Sequence, residues 1–190
     1  MRYWNIILGT FFFRYRNLLF PGVILFAAIV TRPRIMLGSP SLDRILIVSG
    51  TAVALGGEVV RLFTIGLDYI HRGGKDSQVY ARRLVQGGVY AITRNPMYVG
   101  NVLIAIGMTM ATSSPLAYVL IIPLFLFVYH TIVLAEEKYL RNKFGSEYDN
   151  YCDKVNRFVP PMSGILSLFS GLRYDWKRAL RKDLGTITGL

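Results

Sequence analysis

The chain has 190 residues, of which 53% are apolar or aromatic and only 17% charged, against roughly 25% charged in an ordinary soluble domain. Lys and Arg number 22 and Asp and Glu 11, for a formal net charge of +11, a balance that on its own also fits a nucleic-acid binder. The apolar runs at residues 17–30, 45–60, 98–112 and 116–135 are nearly free of charge, with basic residues gathered at their flanks; this argues against nucleic acid as a partner and for membrane lipids, anionic ones in particular.

In chain order, residues 3–13 are aromatic and apolar, then Arg14, Arg16 and Pro21-Gly22 interrupt. This predicts either an interfacial helix leading into a first span at 17–30 or one bent helix, stopped by Arg32-Pro33-Arg34. Residues 45–60 predict the second span, with Gly50/Ala54 and Ala52/Gly56 each four apart, a pattern of small residues that lets another helix approach closely. Glu58 and Arg61 lie three apart near its end, as a self-satisfying pair or as the polar wall of a buried site. Residues 71–94 form the main polar segment, punctuated by Gly73-Gly74 and Gly87-Gly88 and placed in the cytoplasm by its arginines and lysine.

Two further spans are separated only by Ser113-Ser114-Pro115, so the hairpin returns Glu136 and Glu137 to the face that carries the polar segment. The last span should continue past Leu140 and end at Phe144-Gly145, with Gly as the stop. Ser146 and Asp149 have the spacing of a capping box for a short helix through Val155. Residues 165–182 mix apolar and basic side chains, which predicts an amphipathic helix on anionic lipid or, equally, one packed on the protein.

Cys152 is the single cysteine and His71 and His130 the two histidines, so no intrachain disulfide and no metal centre are expected. No Gly-x-Gly or P-loop pattern occurs. The expected organisation is residues 1–70 as N-terminal spans, 71–160 as a core with a transmembrane hairpin, and 161–190 as the basic C-terminal helix. The fold class is all-α, an integral, multi-pass membrane protein with four to five transmembrane helices.

The chemistry concentrates in three pieces: Leu84-Val85-Gln86-Gly87-Gly88-Val89-Tyr90 leading into Arg94-Asn95-Pro96-Met97-Tyr98-Val99-Gly100, the Glu136-Glu137 pair, and Phe144 to Tyr151 ending at Arg157 to Pro160. Physically, Asn95 is a natural cap before Pro96 at a helix start. Glu137 has an ordinary partner in Arg141 four residues on, yet two adjacent carboxylates where a helix leaves the bilayer are costly unless solvated, paired or bound to something. In order and spacing, residues 84–160 resemble the membrane-integrated methyltransferases that include isoprenylcysteine carboxyl methyltransferase and the phospholipid amine methyltransferases.

That resemblance implies S-adenosyl-L-methionine as cofactor, in a pocket on the cytoplasmic side lined by Leu84, Val85, Tyr90, Arg94, Asn95, Pro96, Met97, Tyr98, Glu136 and Glu137. It implies methyl transfer to a lipophilic small molecule or lipid. Two departures accompany it: Asn95 replaces the histidine of the family's His-Pro, which removes any proton transfer at that position, and Ile132 stands where isoprenylcysteine enzymes carry an arginine. Ile132→Arg is expected to leave cofactor binding unimpaired. A phospholipid amine N-methyltransferase is the alternative enzyme, and a non-enzymatic scaffold or transporter the alternative of another class.

Overall fold

The computed structural model of the chain describes residues 2–30, 39–65, 72–75, 78–81 and 83–161. The Arg32-Pro33-Arg34 stop and the basic C-terminal segment lie outside the described residues. Helix α1 runs without a break over Arg2–Val30, so the first of the two N-terminal possibilities, a separate interfacial helix, gives way to a single element. Helix α2 spans Pro40–Ile65, α3 Pro96–Ala111, α4 Pro115–Phe144 and α5 Ser146–Lys154. By length and composition, α2 and α4 are long and apolar enough to cross a membrane.

The polar segment contains more order than its glycines suggest. Strands β1 (Arg72–Lys75) and β2 (Gln78–Ala81) pair antiparallel, with Arg72 opposite Ala81 and Lys75 opposite Gln78. Two residues separate them in sequence, the spacing of a tight hairpin, and four-residue strands containing Gly73-Gly74 carry too little β-propensity to be recognised in advance. The rest of the described fold is helical, with a 3-10 turn at Gly88–Ala91.

Helices α2 and α3 pack along each other through glycines seven residues apart on each. A Cβ on Gly57 would meet the Gly100 carbonyl oxygen at 2.6 Å and Ile104 N at 2.9 Å, and one on Gly50 would meet the Gly107 carbonyl oxygen at 2.6 Å. Gly107 is reciprocally closed off by Gly50 and Ala54. The Gly50/Ala54 register is therefore the packing face. Ala52 and Gly56 are exposed, with open space around Gly56, so that second register faces outward. Contacts this close bring backbones together and let dispersion act over the whole helix length.

On the other side of the bundle α1 lies against α4, where a Cβ on Gly9 would collide with the Thr131 carbonyl. Phe12 meets Phe127 edge-on at 6.5 Å. As residue numbers rise along α1 they fall along α4, so the two run antiparallel, as do α2 and α3. The core joins Phe13 of α1, Tyr98 and Ala105 of α3, and Ile121, Phe125, Val128, Tyr129, Ile132 and Val133 of α4.

The α3–α4 turn matches its sequence signal. Ser113 takes a left-handed φ of 49°, Ser114 accepts a hydrogen bond from Ala117 N at 3.5 Å, and the Tyr118 hydroxyl donates to the Met110 carbonyl at 2.9 Å. At the far end, Gly145 has φ 54° and its N–H donates to the Arg141 carbonyl at 2.9 Å, ending α4 where a C-terminal glycine should. The capping box at Ser146 does not form. Gly145 takes the N-cap position of α5 without a side-chain cap, and Asp149 bonds Arg141 instead.

Replacing Gly57 or Gly107 by Val should destabilise the protein by about 1–3 kcal/mol through overpacking, whereas Gly56→Val should be nearly neutral. Thermal unfolding of the detergent-solubilised variants measures this; equal effects at Gly56 and Gly57 would contradict the packing register.

Candidate functional site

Glu137 anchors the polar end of the bundle. It sits in the last third of α4, where helical periodicity turns it inward, and it is 3% exposed. Its carboxylate receives a bidentate pair of hydrogen bonds from Arg157, Nε to Oε1 at 3.0 Å and a terminal nitrogen to Oε2 at 2.7 Å. Arg94 approaches the same carboxylate at 3.6 Å. A fork-on-fork geometry of this kind is strong and directional. The hydrogen bond to Glu137 holds the Arg157 pKa above its ordinary value, against the desolvation that lowers it, so the guanidinium remains charged at any accessible pH.

The expected Glu137–Arg141 pair along the helix surface is replaced by this buried arrangement. Arg141 instead reaches Asp149 at 2.6 Å, with both side chains about half exposed. Arg157 had no local signal, being twenty residues from Glu137. What could have pointed to it is the brevity of α5, which keeps the chain after it within reach of the end of α4.

The same turn of chain stitches the start of α3 to residues 156–158. Arg94 N–H donates to the Asn156 carbonyl at 2.9 Å, the Thr93 hydroxyl to the Phe158 carbonyl at 3.0 Å, and Asn95 Nδ2 to the Arg157 carbonyl at 3.1 Å. Asn95 thus takes the N-cap position, but its side chain makes no capping bond. It is 2% exposed and its Oδ1 is buried without a hydrogen-bond partner, a vacant acceptor beside the arginine–glutamate group. An unpaired buried acceptor is costly in an isolated protein and is satisfied when a ligand donates to it.

The other residues singled out from sequence divide into two sets. Pro96 fills the first turn of α3 and is buried, Met97 is half-buried, and Tyr98 points into the core, its ring 5.7 Å from that of Tyr129. Val85 is buried, and Leu84 packs with Ala81, Leu140, Tyr148, Tyr151 and Val155. The Tyr90 carbonyl accepts from the Tyr151 hydroxyl at 2.6 Å, and Lys143 Nζ donates to the Ala81 carbonyl at 2.6 Å. Tyr148 and Tyr151 accordingly serve as core that ties residues 81–90 to α4 and α5. Glu136 is buried at 5% exposure one residue before Glu137. Residues 84–98, 136–140 and 151–158 therefore form one connected body.

Ile132 is fully buried in the core cluster. An arginine there would place a charge among Phe13, Val128 and Val133, so Ile132→Arg is expected to destabilise the fold, a cost that the sequence pattern around position 132 did not signal. Among the described residues no group of three metal-ligating side chains converges.

The described fold is thus a helical bundle with two helices long and apolar enough to cross a membrane and a buried, arginine-paired carboxylate at one end. The chain belongs to the phospholipid methyltransferase family, whose model matches residues 45–147, from α2 to the start of α5. It is 30% identical over 116 residues to a probable protein-S-isoprenylcysteine O-methyltransferase from Oryza sativa subsp. indica, a match covering 58% of this chain and 59% of that protein. It is 36% identical over 77 residues to protein-S-isoprenylcysteine O-methyltransferase from Saccharomyces cerevisiae, covering 40% of this chain and 32% of the yeast protein. A third relative, protein-S-isoprenylcysteine O-methyltransferase B from Arabidopsis thaliana, is 27% identical over 114 residues, 57% of its length. The chain thus matches about three-fifths or less of the length of these relatives. Arg157, the principal partner of Glu137, lies beyond the residues that the family model matches.

Arg157→Ala leaves Glu137 buried with Arg94 as its remaining cation, and should cost about 1–3 kcal/mol, below the ~3–5 kcal/mol of a fully buried pair broken outright. Arg141→Ala removes an exposed pair and should cost about 0–1 kcal/mol. Thermal unfolding of both variants tests the ranking, and a larger loss at Arg141 would overturn it.

Proposed function

We propose that the chain is an S-adenosylmethionine-dependent methyltransferase of the membrane that acts on a lipophilic substrate. The observation that carries this reading is the buried, partnerless Oδ1 of Asn95 beside the Arg94–Glu137–Arg157 group, in the part of the chain that matches a methyltransferase family. When bound, S-adenosylmethionine would supply an electrophilic methyl group on its sulfonium, and the acceptor's nucleophile would take that methyl as the neutral thioether leaves.

The residues fit that ligand. Asn95 Oδ1 accepts from a hydroxyl or ammonium of the donor, and Glu136 provides a carboxylate for the same cationic or hydroxyl-rich end. Leu84, Val85 and Tyr90 form the apolar side that a purine requires. Glu137 acts at one remove: it fixes Arg94 and Arg157, and through their backbones it sets where Asn95 stands. Holding donor and acceptor at near-attack distance supplies much of the rate in such a transfer, and no proton need pass through Asn95.

In this reading α1 to α4 cross the membrane alternately, with residues 71–160 forming the donor-binding core. The start of α1, the β-hairpin and α5 share one side, and the basic residues of the polar segment favour the cytoplasm for it. The bilayer delivers the acceptor and anionic lipid attracts the basic surface. Relatives named as isoprenylcysteine O-methyltransferases favour a carboxylate acceptor, and the phospholipid methyltransferase family name favours a lipid amine as the second reading.

Calorimetric titration of S-adenosylhomocysteine into the purified, nanodisc-embedded protein tests the proposal. Saturable binding is expected, weakened by up to about tenfold in Asn95→Ala for the loss of one hydrogen bond and by about tenfold or more in Glu136→Gln for the loss of a charged one. No binding by folded wild-type protein, or unchanged affinity in both variants, would contradict it.

A further inference from the structure

Four hydrogen bonds join residues 86–95 to residues 147–157 at a nearly constant separation of 61 or 62 positions: Gln86 to Glu147, Tyr90 to Tyr151, Arg94 to Asn156 and Asn95 to Arg157. The two stretches therefore run side by side in the same direction. Tyr151, Asn156 and Arg157 lie beyond the residues that the family model matches, so this side of the candidate donor pocket is braced from outside the matched region.

Two of the four bonds act as a pair. The turn at Gly88–Ala91 closes with the Tyr90 N–H on the Gly87 carbonyl at 3.2 Å, and with the Ile92 and Thr93 N–H groups on the Val89 carbonyl at 3.3 and 3.2 Å. The next bond of an α-helical series would run from the Arg94 N–H to the Tyr90 carbonyl. In its place the Arg94 N–H donates to the Asn156 carbonyl at 2.9 Å, and the Tyr90 carbonyl accepts from the Tyr151 hydroxyl at 2.6 Å. Both halves of the exchanged bond are thus met from residues 151–156, as buried backbone groups require.

The chain consequently opens between Tyr90 and Asn95. Asn95 takes φ −132° and ψ 54° before α3 begins at Pro96, a residue before proline being kept out of the helical region. The opening sets the distance between two sides of the pocket: Tyr90 belongs to the apolar side and Asn95 carries the buried Oδ1 that lacks a hydrogen-bond partner. Closing the Arg94–Tyr90 bond would draw these residues together, because a helix rises only about 1.5 Å per residue and an extended chain about 3.3 Å.

We propose that Tyr151 is a positioning residue for the methyl donor: its hydroxyl, bonded to the Tyr90 carbonyl, holds residues 90–95 open and so fixes the separation of the purine side of the pocket from Asn95. This rests on the methyltransferase reading and adds to it a residue on which donor affinity depends without contact. The Tyr151 ring packs with Ala81, Leu140, Tyr148 and Val155, so phenylalanine at this position keeps the packing and deletes only the hydroxyl.

The test titrates S-adenosylhomocysteine into the full chain in nanodiscs, at a temperature where every variant is folded. Tyr151→Phe should bind about three- to tenfold more weakly than wild type, while Asp149→Asn, which removes an exposed pair on the same helix, should bind unchanged. The double variant Tyr151→Phe with Asn95→Ala should bind within about twofold of the weaker single variant, because the separation matters only while both sides grip the ligand. A merely structural hydroxyl would lower the unfolding temperature and leave the affinity of the folded protein alone. Unchanged affinity in Tyr151→Phe, or losses that multiply in the double variant, overturns the proposal. If Tyr151→Phe does not fold, hydrogen–deuterium exchange of the wild type decides: saturating S-adenosylhomocysteine should slow exchange in peptides of residues 151–156 together with those of 84–95, and protection confined to 84–95 overturns it. Wild-type protein that binds no S-adenosylhomocysteine overturns the methyltransferase reading and this inference with it, whereas wild-type binding with an unaffected Tyr151→Phe overturns this inference alone.

Discussion

The buried carboxylate of Glu137 is the constraint on which the polar end of this protein depends. It is held by a bidentate Arg157 and approached by Arg94, one cation from just before α3 and one from beyond α5. A buried carboxylate that lost these partners would be strongly unfavourable, so the two chain segments are obliged to meet where α4 leaves the apolar part of the bundle. The hydrogen bonds of residues 93–95 to 156–158 follow from that meeting, and they leave Asn95 with its side-chain nitrogen engaged and its side-chain Oδ1 without a hydrogen-bond partner.

The apolar part of the bundle is built on a different principle. Glycines on α2 and α3 bring two backbones into contact, and Gly9 does the same for α1 against α4. Such contacts gain dispersion energy without a hydrophobic driving force between helices, which is the form of cohesion available in lipid. With α1 committed to α4 and α2 to α3, α1 and α2 form no substantial interface with each other among the described residues.

Much of this was legible in the sequence. The apolar runs, the Ser113-Ser114-Pro115 turn and the Gly145 stop are local signals, and each lies where its residue types require. The Gly50/Ala54 face was legible as one of two equivalent registers; the choice against Ala52/Gly56 comes from Gly100 and Gly107 on the partner helix, which pattern along α2 cannot contain. Asn95 was readable as a helix start, but its side chain turns to the Arg157 carbonyl because a tertiary partner outweighs a local cap. The pairing of Glu137 with Arg157 joins residues twenty apart and displaces an available i, i+4 partner, a product of topology. Short strands with paired glycines left the β-hairpin without a local signature.

The central claim is that residues 84–98 and the Glu136 region together form the methyl-donor pocket. Ultraviolet cross-linking of methyl-tritiated S-adenosylmethionine to the purified protein, followed by peptide mapping, tests it most directly. The account predicts label on peptides carrying residues 84–98 or 136–140, suppressed by excess S-adenosylhomocysteine. Suppressible label confined to other peptides, such as those of α1 or α2, would contradict it.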